Sequence, residues 1–261
     1  MISVTIDKLK DIAVDTDTMS DDTVELMIPS RSEGSFVVTL TGNIDKELTL
    51  NATAENDCHV IILIINHMQG KLTLNESYHI GRDNDLTIAH CQLNEASSEL
   101  NCNYYLEGEG SELKVNTVSL SSTVKLFNQD VYHQKGHTTA TVTNYGVVKA
   151  HGRTEIVVRN TIQQGSHISK SHQTSRLLTF DKSAIGKILP VLYIYDNDVE
   201  ASHAATMGQP DEAQIFYLQT RGLSQKEALD LIMAGYLLPI TTLTDNERIN
   251  EMLKKEIEDR L

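Results

Sequence analysis

Residues 36–75 read FVVTLTGNIDKELTLNATAENDCHVIILIINHMQGKLTLN. Within them Phe36–Thr41, Glu47–Ala52 and Lys71–Asn75 alternate apolar with polar or β-branched residues. Alternation of this kind turns one face of an extended chain inward and the other outward. Val60–Ile65, the longest apolar run of the chain, reads as a buried strand. The pattern continues downstream in Asp85–Cys91, Glu112–Leu120, Thr138–Thr143 and Thr154–Arg159. Many of these segments recur at intervals of about 10–15 residues. Turn-forming clusters separate them: SEGS at 32–35, HMQG at 67–70, GRDND at 81–85 and EGEGS at 107–111.

The four prolines are Pro29, Pro190, Pro210 and Pro239, so residues 30–189 contain none. Proline cannot donate to a strand ladder, and a long stretch without it suits continuous sheet. No amphipathic helix is visible before about residue 205. Many short strands without intervening helices mean an all-β body. A sandwich, a closed barrel and a parallel β-solenoid with coils of roughly 20–30 residues all fit this pattern, and no strict sequence repeat selects among them.

The length of 261 residues suits one large domain, or one domain with an appendage. The 36 acidic and 22 basic residues give a formal net charge of −14. That balance argues against binding nucleic-acid backbone or anionic lipid, both of which need Lys and Arg. Hydrophobic residues make up 40% of the chain, enough for a core, and with no Trp and only 5% aromatics that core is aliphatic. No apolar run approaches the roughly 18–20 residues of a membrane span. The first residues show no leader pattern, and Cys58, Cys91 and Cys102 make neither a CxxC motif nor an even disulfide set. A soluble protein of a reducing cytoplasm is the expectation.

After about residue 208 the character changes. Asp211–Gly222 opens with two acids and closes on Arg-Gly, as a helix with a glycine C-cap does. Ser224–Leu237 begins with Ser and has Glu three places on, a capping box, and Pro239 stops it. Thr244–Leu261 carries Ile249, Leu253 and Ile257 on one helical stripe. The expected division is a β body over 1–207 and a helical subdomain over 208–261.

Residues 193–236, YIYDNDVEASHAATMGQPDEAQIFYLQTRGLSQKEALDLIMAGY, carry the most specific signal. An acidic turn is followed by A-x-H-x-A-T at 201–206, then Gly208, Asp211, the F-Y-L of 216–218, Arg221-Gly222, Ala228 and Gly235-Tyr236. This stretch resembles the C-terminal signature of the SufB/SufD family, the paired scaffold-type components of the SUF iron–sulfur cluster assembly system. Ser171–Ser183 and Leu192–Asp198 resemble the same family, and Thr138–Gly152 does so more loosely. The resemblance implies a right-handed parallel β-helix with a helical C-terminal subdomain that docks the SufC ABC-type ATPase. It implies pairing through strands at the C-terminal end of the β-helix, with a paralogue or as a homodimer. It also implies a non-enzymatic scaffold; the chain has no GxxxxGK[ST] loop of its own. No tightly bound cofactor is expected, but iron or an Fe–S cluster would be held transiently at a subunit interface.

The chain departs from the family pattern in its ligand set. Phe180 stands where SufB-type members carry a cysteine, Ser202-His203-Ala204 where they show Glu-His-Glu, and Ala201 where SufD-type members often have cysteine. Against the family pattern the chain is expected to be a short member without the usual N-terminal helical region, closer to SufD than to SufB, or a minimal SufBD protein. His203 is the one retained ligand candidate, to act in trans with Glu200 or Asp198 behind it. Gln214, Phe216, Tyr217, Arg221, Leu231 and Tyr236 are the expected ATPase contacts, with Ile215, Phe216, Leu229 and Ile232 as the competing packing set. The three cysteines are expected to be core residues. His133, His137, His151, His167 and His172 are expected to be exposed strand or turn residues rather than a nitrogen-rich metal site. Two other functions compete. One is a polysaccharide-active β-helix enzyme using Asp196, Asp198 and Glu200. The other is a degenerate SufBD homologue that docks its partners without cluster chemistry.

Overall fold

The computed structural model describes residues 2–5, 11–242 and 246–261, the first of these segments as backbone only. The chain forms sixteen strands and then a helical tail. In chain order the strands are β1 (Ile2–Thr5), β2 (Ile12–Asp15), β3 (Thr23–Ile28), β4 (Glu33–Thr41), β5 (Lys46–Ala54), β6 (His59–Asn66), β7 (Leu72–Ile80) and β8 (Asp85–Gln92). They continue as β9 (Ser98–Leu106), β10 (Glu112–Ser121), β11 (Val124–His133), β12 (Thr139–Val148), β13 (Arg153–Ile162), β14 (Ser169–Thr179), β15 (Ile185–Ile194) and β16 (Val199–Gly208). All odd strands lie side by side in one sheet and all even strands in the other, each in sequence order. Every pairing is parallel, so each coil contributes one strand to each sheet. This is a two-sheet parallel β-solenoid, and it decides among the three architectures that patterning alone leaves open.

Each rung is set by hydrogen-bonded register. Asn75 accepts from Asn101 Nδ2 at 3.0 Å, 26 residues on, and Asn101 from Asn128 Nδ2 at 3.0 Å, 27 residues on. Tyr78 stacks on Tyr104 with ring centroids 5.2 Å apart, and Tyr105 stacks between His79 and Tyr132 at 5.0 Å from each. Just ahead of the even strands β4 to β14, one corner of the coil places a residue in the left-handed region: Arg31, Asp57, Asp83, Gly110, His137 and Ile168. In the coils of Arg31, Asp57, Asp83, His137 and Ile168 that residue's N–H donates to a carbonyl of the next coil. Aspartate and glycine tolerate this conformation; a β-branched residue such as Ile168 is strained in it.

The inner faces of the two sheets make one core, rich in Val, Ile and Leu. A second core lies on the outer face of the even sheet, where Val37, Leu63, Ile65, Ala89, Cys91, Val118 and Val147 meet the helical tail. That explains the unbroken Val60–Ile65 run. Ile62 and Ile64 face the first core, and Leu63 and Ile65 face the second.

The tail comprises α1 (Glu212–Thr220), α2 (Gln225–Leu237), a 3₁₀ turn (Leu238–Thr242) and α3 (Glu247–Glu258). Asp211 caps α1, and Gly222 at φ 97° ends it with Gly222 N–H donating to Gln219 and Leu223 N–H to Leu218, a Schellman arrangement. Ser224 and Glu227 form the expected capping box of α2. The third helix begins at Glu247 behind an Asn246 cap, because the Asn246 side chain accepts from Ile249 N–H; the expected start at Thr244 lies outside the described residues. Ile249, Leu253 and Ile257 are buried, as their stripe implied. This helix lies back along the body to its first coils: Arg248 pairs with Asp11, Asn246 donates to Ser35 at 3.0 Å, and Glu256 meets His67 at 2.9 Å.

Candidate functional site

The last coil is where the structure differs from an ordinary solenoid interior. β15 ends the odd sheet and β16 the even one, and among the described residues neither pairs with a strand beyond. Nine of the ten residues of β16 are exposed. Apolar side chains stand in water there, among them Ile185, Leu189, Tyr193, Met207 and Tyr195, the last 63% exposed. Monomeric proteins seldom leave such a row uncovered on an open strand edge.

His203 sits in the middle of β16, in register with Gln173 of β14, and is exposed. Its neighbours Ala201, Ser202 and Ala204 are exposed as well, and Ser202 Oγ lies 2.7 Å from His172 Nδ1. One expectation is corrected. Glu200 does not stand behind His203: three residues apart on a strand, the two point to opposite faces, and Glu200 pairs with Lys170 at 3.0 Å. Asp198 precedes the strand, where its carbonyl accepts Ile168 N–H at 2.6 Å. Asp196 closes the same turn. It accepts N–H bonds from Gly165 and Asp198, and the backbone of Asp198 is the chief cause of its lowered pKa. Asp196 and Asp198 are thus turn residues held by backbone hydrogen bonds, whereas Glu200 lies on β16 and is engaged by Lys170. Phe180 is partly buried in the outer core.

The tail presents its own surface. α1 buries none of its residues, and Phe216 is 68% exposed, which overturns its place in the packing set. Ala228, Met233 and Leu237 do that packing instead, with Ile232 partly buried beside them; Ile215 and Leu229 are half-buried. Tyr217 and Leu231 are exposed, and Arg221 lies over the Tyr217 ring at 5.1 Å. Gln214, Leu218, Leu231 and Tyr236 line a cleft of about 450 Å³ between α1 and α2. Tyr236 is partly buried, edge-on to Tyr145 at 6.4 Å, so it joins the tail to the body as well as lining the cleft.

The histidines separate into two kinds. His133 is fully buried, contrary to expectation, between Thr138 Oγ1 at 2.7 Å and Ser171 Oγ at 3.1 Å. Burial pushes its pKa down to about 4. His137 and His151 occupy left-handed corners, and His167 packs edge-on to His137 at 5.4 Å. They do not converge on a metal site.

Cys58, Cys91 and Cys102 are free and buried, and burial raises all three thiol pKa values. Two features inside the body escaped the sequence reading. Lys125 is wholly buried, its Nζ donating to Asn94 Oδ1 and Ala96 O at 2.7 Å each, and burial lowers its pKa to about 7. Glu76, His90 and Cys102 meet in the core, and among the described residues they alone form a trio of metal-ligating types with atoms mutually within 4.8 Å. A line of paired polar groups continues beyond them: Gln129 donates to Thr117, and Asn144 to Gln129 and Ser175.

A parallel β-solenoid with an uncovered last coil, and with a helical tail laid over one sheet, defines the class. Residues 17–236 match the family described as SUF system FeS cluster assembly, SufBD core domain, and the chain belongs to that family. It is 28% identical over 183 residues to the iron–sulfur cluster assembly protein SufD of Bacillus subtilis, which covers 69% of this chain and 42% of the relative. It is 29% identical over 165 residues to SufD of Escherichia coli, covering 62% and 38%. A SufBD family protein of Staphylococcus saprophyticus is 27% identical over 165 residues, covering 60% and 35%. The matched segments span between 35% and 42% of the length of these relatives. Among the described residues no helix is long and apolar enough to cross a membrane.

Proposed function

We propose that this chain is a non-enzymatic scaffold of SUF iron–sulfur cluster assembly, working as one half of a pair. The observation that carries the reading is the exposed last coil, which combines an open strand edge, a row of uncovered apolar side chains and His203. Pairing β15 and β16 with their counterparts in a second copy or a paralogue would satisfy both edges through one two-fold contact. His203 would then supply one imidazole ligand at the junction, with the remaining ligands coming from the partner. The exposed Phe216, Tyr217 and Leu231 beside the α1–α2 cleft would receive an ABC-type ATPase of the SufC kind, since aromatic and aliphatic anchors dominate such contacts.

The test is anaerobic co-purification with the SufC-type ATPase of the same source, reading mass, bound iron and ATPase rate. A complex of paired chains that holds iron, and that loses iron but not mass on His203→Ala, supports the reading. Monomers that remain monomers with and without the ATPase would refute it. A second reading rests on a specific observation: all three cysteines are buried, so the last coil offers no thiolate. In that case the chain docks both partners but leaves cluster chemistry to the other subunit, and the complex forms without iron.

A further inference from the structure

We propose that Glu76, His90 and Cys102 form a binding site for one divalent transition-metal ion, with zinc the best match. The site is independent of the exposed last coil and of the assembly role.

Its geometry follows from the coil repeat. Glu76 on β7 and Cys102 on β9 are lateral partners, one rung apart in the odd sheet. His90 on β8 reaches them from the even sheet across the core. The His90 Nε2 to Glu76 Oε2 distance is 2.6 Å, and Cys102 Sγ lies 3.0 Å from the same oxygen. All three side chains are fully buried. Ligand bonds of about 2.0–2.3 Å in a tetrahedral site place donor atoms roughly 3.3–3.7 Å apart, so the trio needs to open by only about 1 Å to seat an ion. Nitrogen, oxygen and sulfur together suit a borderline-soft cation such as zinc and do not suit magnesium or calcium.

The surroundings supply the second argument. Leu50 and Ile64 flank the trio on the preceding rungs, and Leu74 and Ile88 on the same strands. A carboxylate in such a layer needs compensation. Among the described residues its hydrogen-bond partners are Tyr78, His90 and Cys102, none of them a permanent cation. The buried Lys125 is engaged elsewhere, by Asn94 and Ala96. Among the described residues His90 Nδ1 has no hydrogen-bond partner, so the polar capacity here exceeds what the chain itself satisfies. A dication held by one carboxylate, one thiolate and a neutral imidazole is a charge-neutral unit. Binding the ion displaces the Cys102 thiol proton.

Since the site is closed to solvent, the ion is taken up while the chain folds. The experiment is therefore to unfold the purified full chain with a chelator present, then refold it with Co²⁺ or Zn²⁺. After desalting, about one ion per chain is expected, with a near-ultraviolet thiolate-to-cobalt charge-transfer band. The variant Cys58→Ala/Cys91→Ala leaves Cys102 as the sole thiol and should keep that band. Cys102→Ser and Glu76→Gln should each weaken retention against a competing chelator by more than about a hundredfold. Refolded wild type without the band, or a band that survives Cys102→Ser, would overturn the proposal. Should Cys102→Ser fail to fold, the sole-thiol variant decides alone: no band there refutes the site.

Discussion

Lys125 gives the most quantitative handle on this core. Its ammonium is enclosed, with two acceptors and no carboxylate partner within salt-bridge distance among the described residues. Burial lowers its pKa from 10.5 to about 7. In the unfolded chain the group keeps its proton up to about pH 10.5. Between about pH 7 and pH 10.5 the unfolded state therefore binds more protons than the folded one, and stability rises with pH across that window. Below about pH 7 both states are protonated, and the full cost of the buried charge is present. Integrated from about pH 6 to about pH 9, the gain is about 2–3 kcal/mol. Lys125→Met removes the group and with it this slope.

The assay is urea unfolding of wild type and Lys125→Met at several pH values across that range, reported as the difference in unfolding free energy. Other titrating groups are common to both proteins and cancel. The variant also leaves Asn94 Oδ1 and Ala96 O without their donor, at about 1–3 kcal/mol each. That offset is independent of pH, so the test lies in the slope and not in the absolute difference. Parallel curves would refute the reasoning, for they would mean that Lys125 keeps its proton in the folded protein.

Three further outcomes follow from the same structure. Ile168 is β-branched, exposed and at φ 58°, so Ile168→Asn should raise stability by about 1 kcal/mol, read as a shift in urea midpoint. Leu253 is buried between tail and body, and Leu253→Ala should cost about 2–4 kcal/mol in the same assay, whereas Phe216→Ser should stay within about 0.5 kcal/mol and, if the proposed docking holds, weaken ATPase binding. Alkylation with iodoacetamide should leave Cys58, Cys91 and Cys102 unmodified in the native protein and modify all three in denaturant, since the thiols are buried and held protonated; labelling of any one in the native state would count against its place in the core.

The strands were legible because alternation is a local property, and so were the caps of α1 and α2, which depend on residues two to four apart. The coil repeat was harder. It is carried by a few stacked matches, such as Asn75, Asn101 and Asn128, and its length drifts from the 22 residues that separate Ile2 from Val24 to the 32 that separate Arg153 from Ile185. Only the family signature around His203 separated a solenoid from a sandwich. That signature also led to the exposed last coil, though not to the strand parity that removes Glu200 from His203. The core trio had no local signal at all. Glu76 lies 14 residues from His90 and 26 from Cys102, and only the closure of a coil brings them together. Burial of His133 and Lys125 was hidden for a similar reason, because each is satisfied by residues of other rungs or turns.

The helix that returns from the last coil to the first has a mechanical meaning. A bare solenoid behaves as a row of springs in series, each coil sensing only the next, so it frays from its ends. Here Arg248, Asn246 and Glu256 fasten the tail to Asp11, Ser35 and His67, and the row becomes a closed frame with a tie-rod along one side. A load applied at the tail reaches the opening coils directly, without passing rung by rung through the core, and the ends of the molecule rise or fall in stability together.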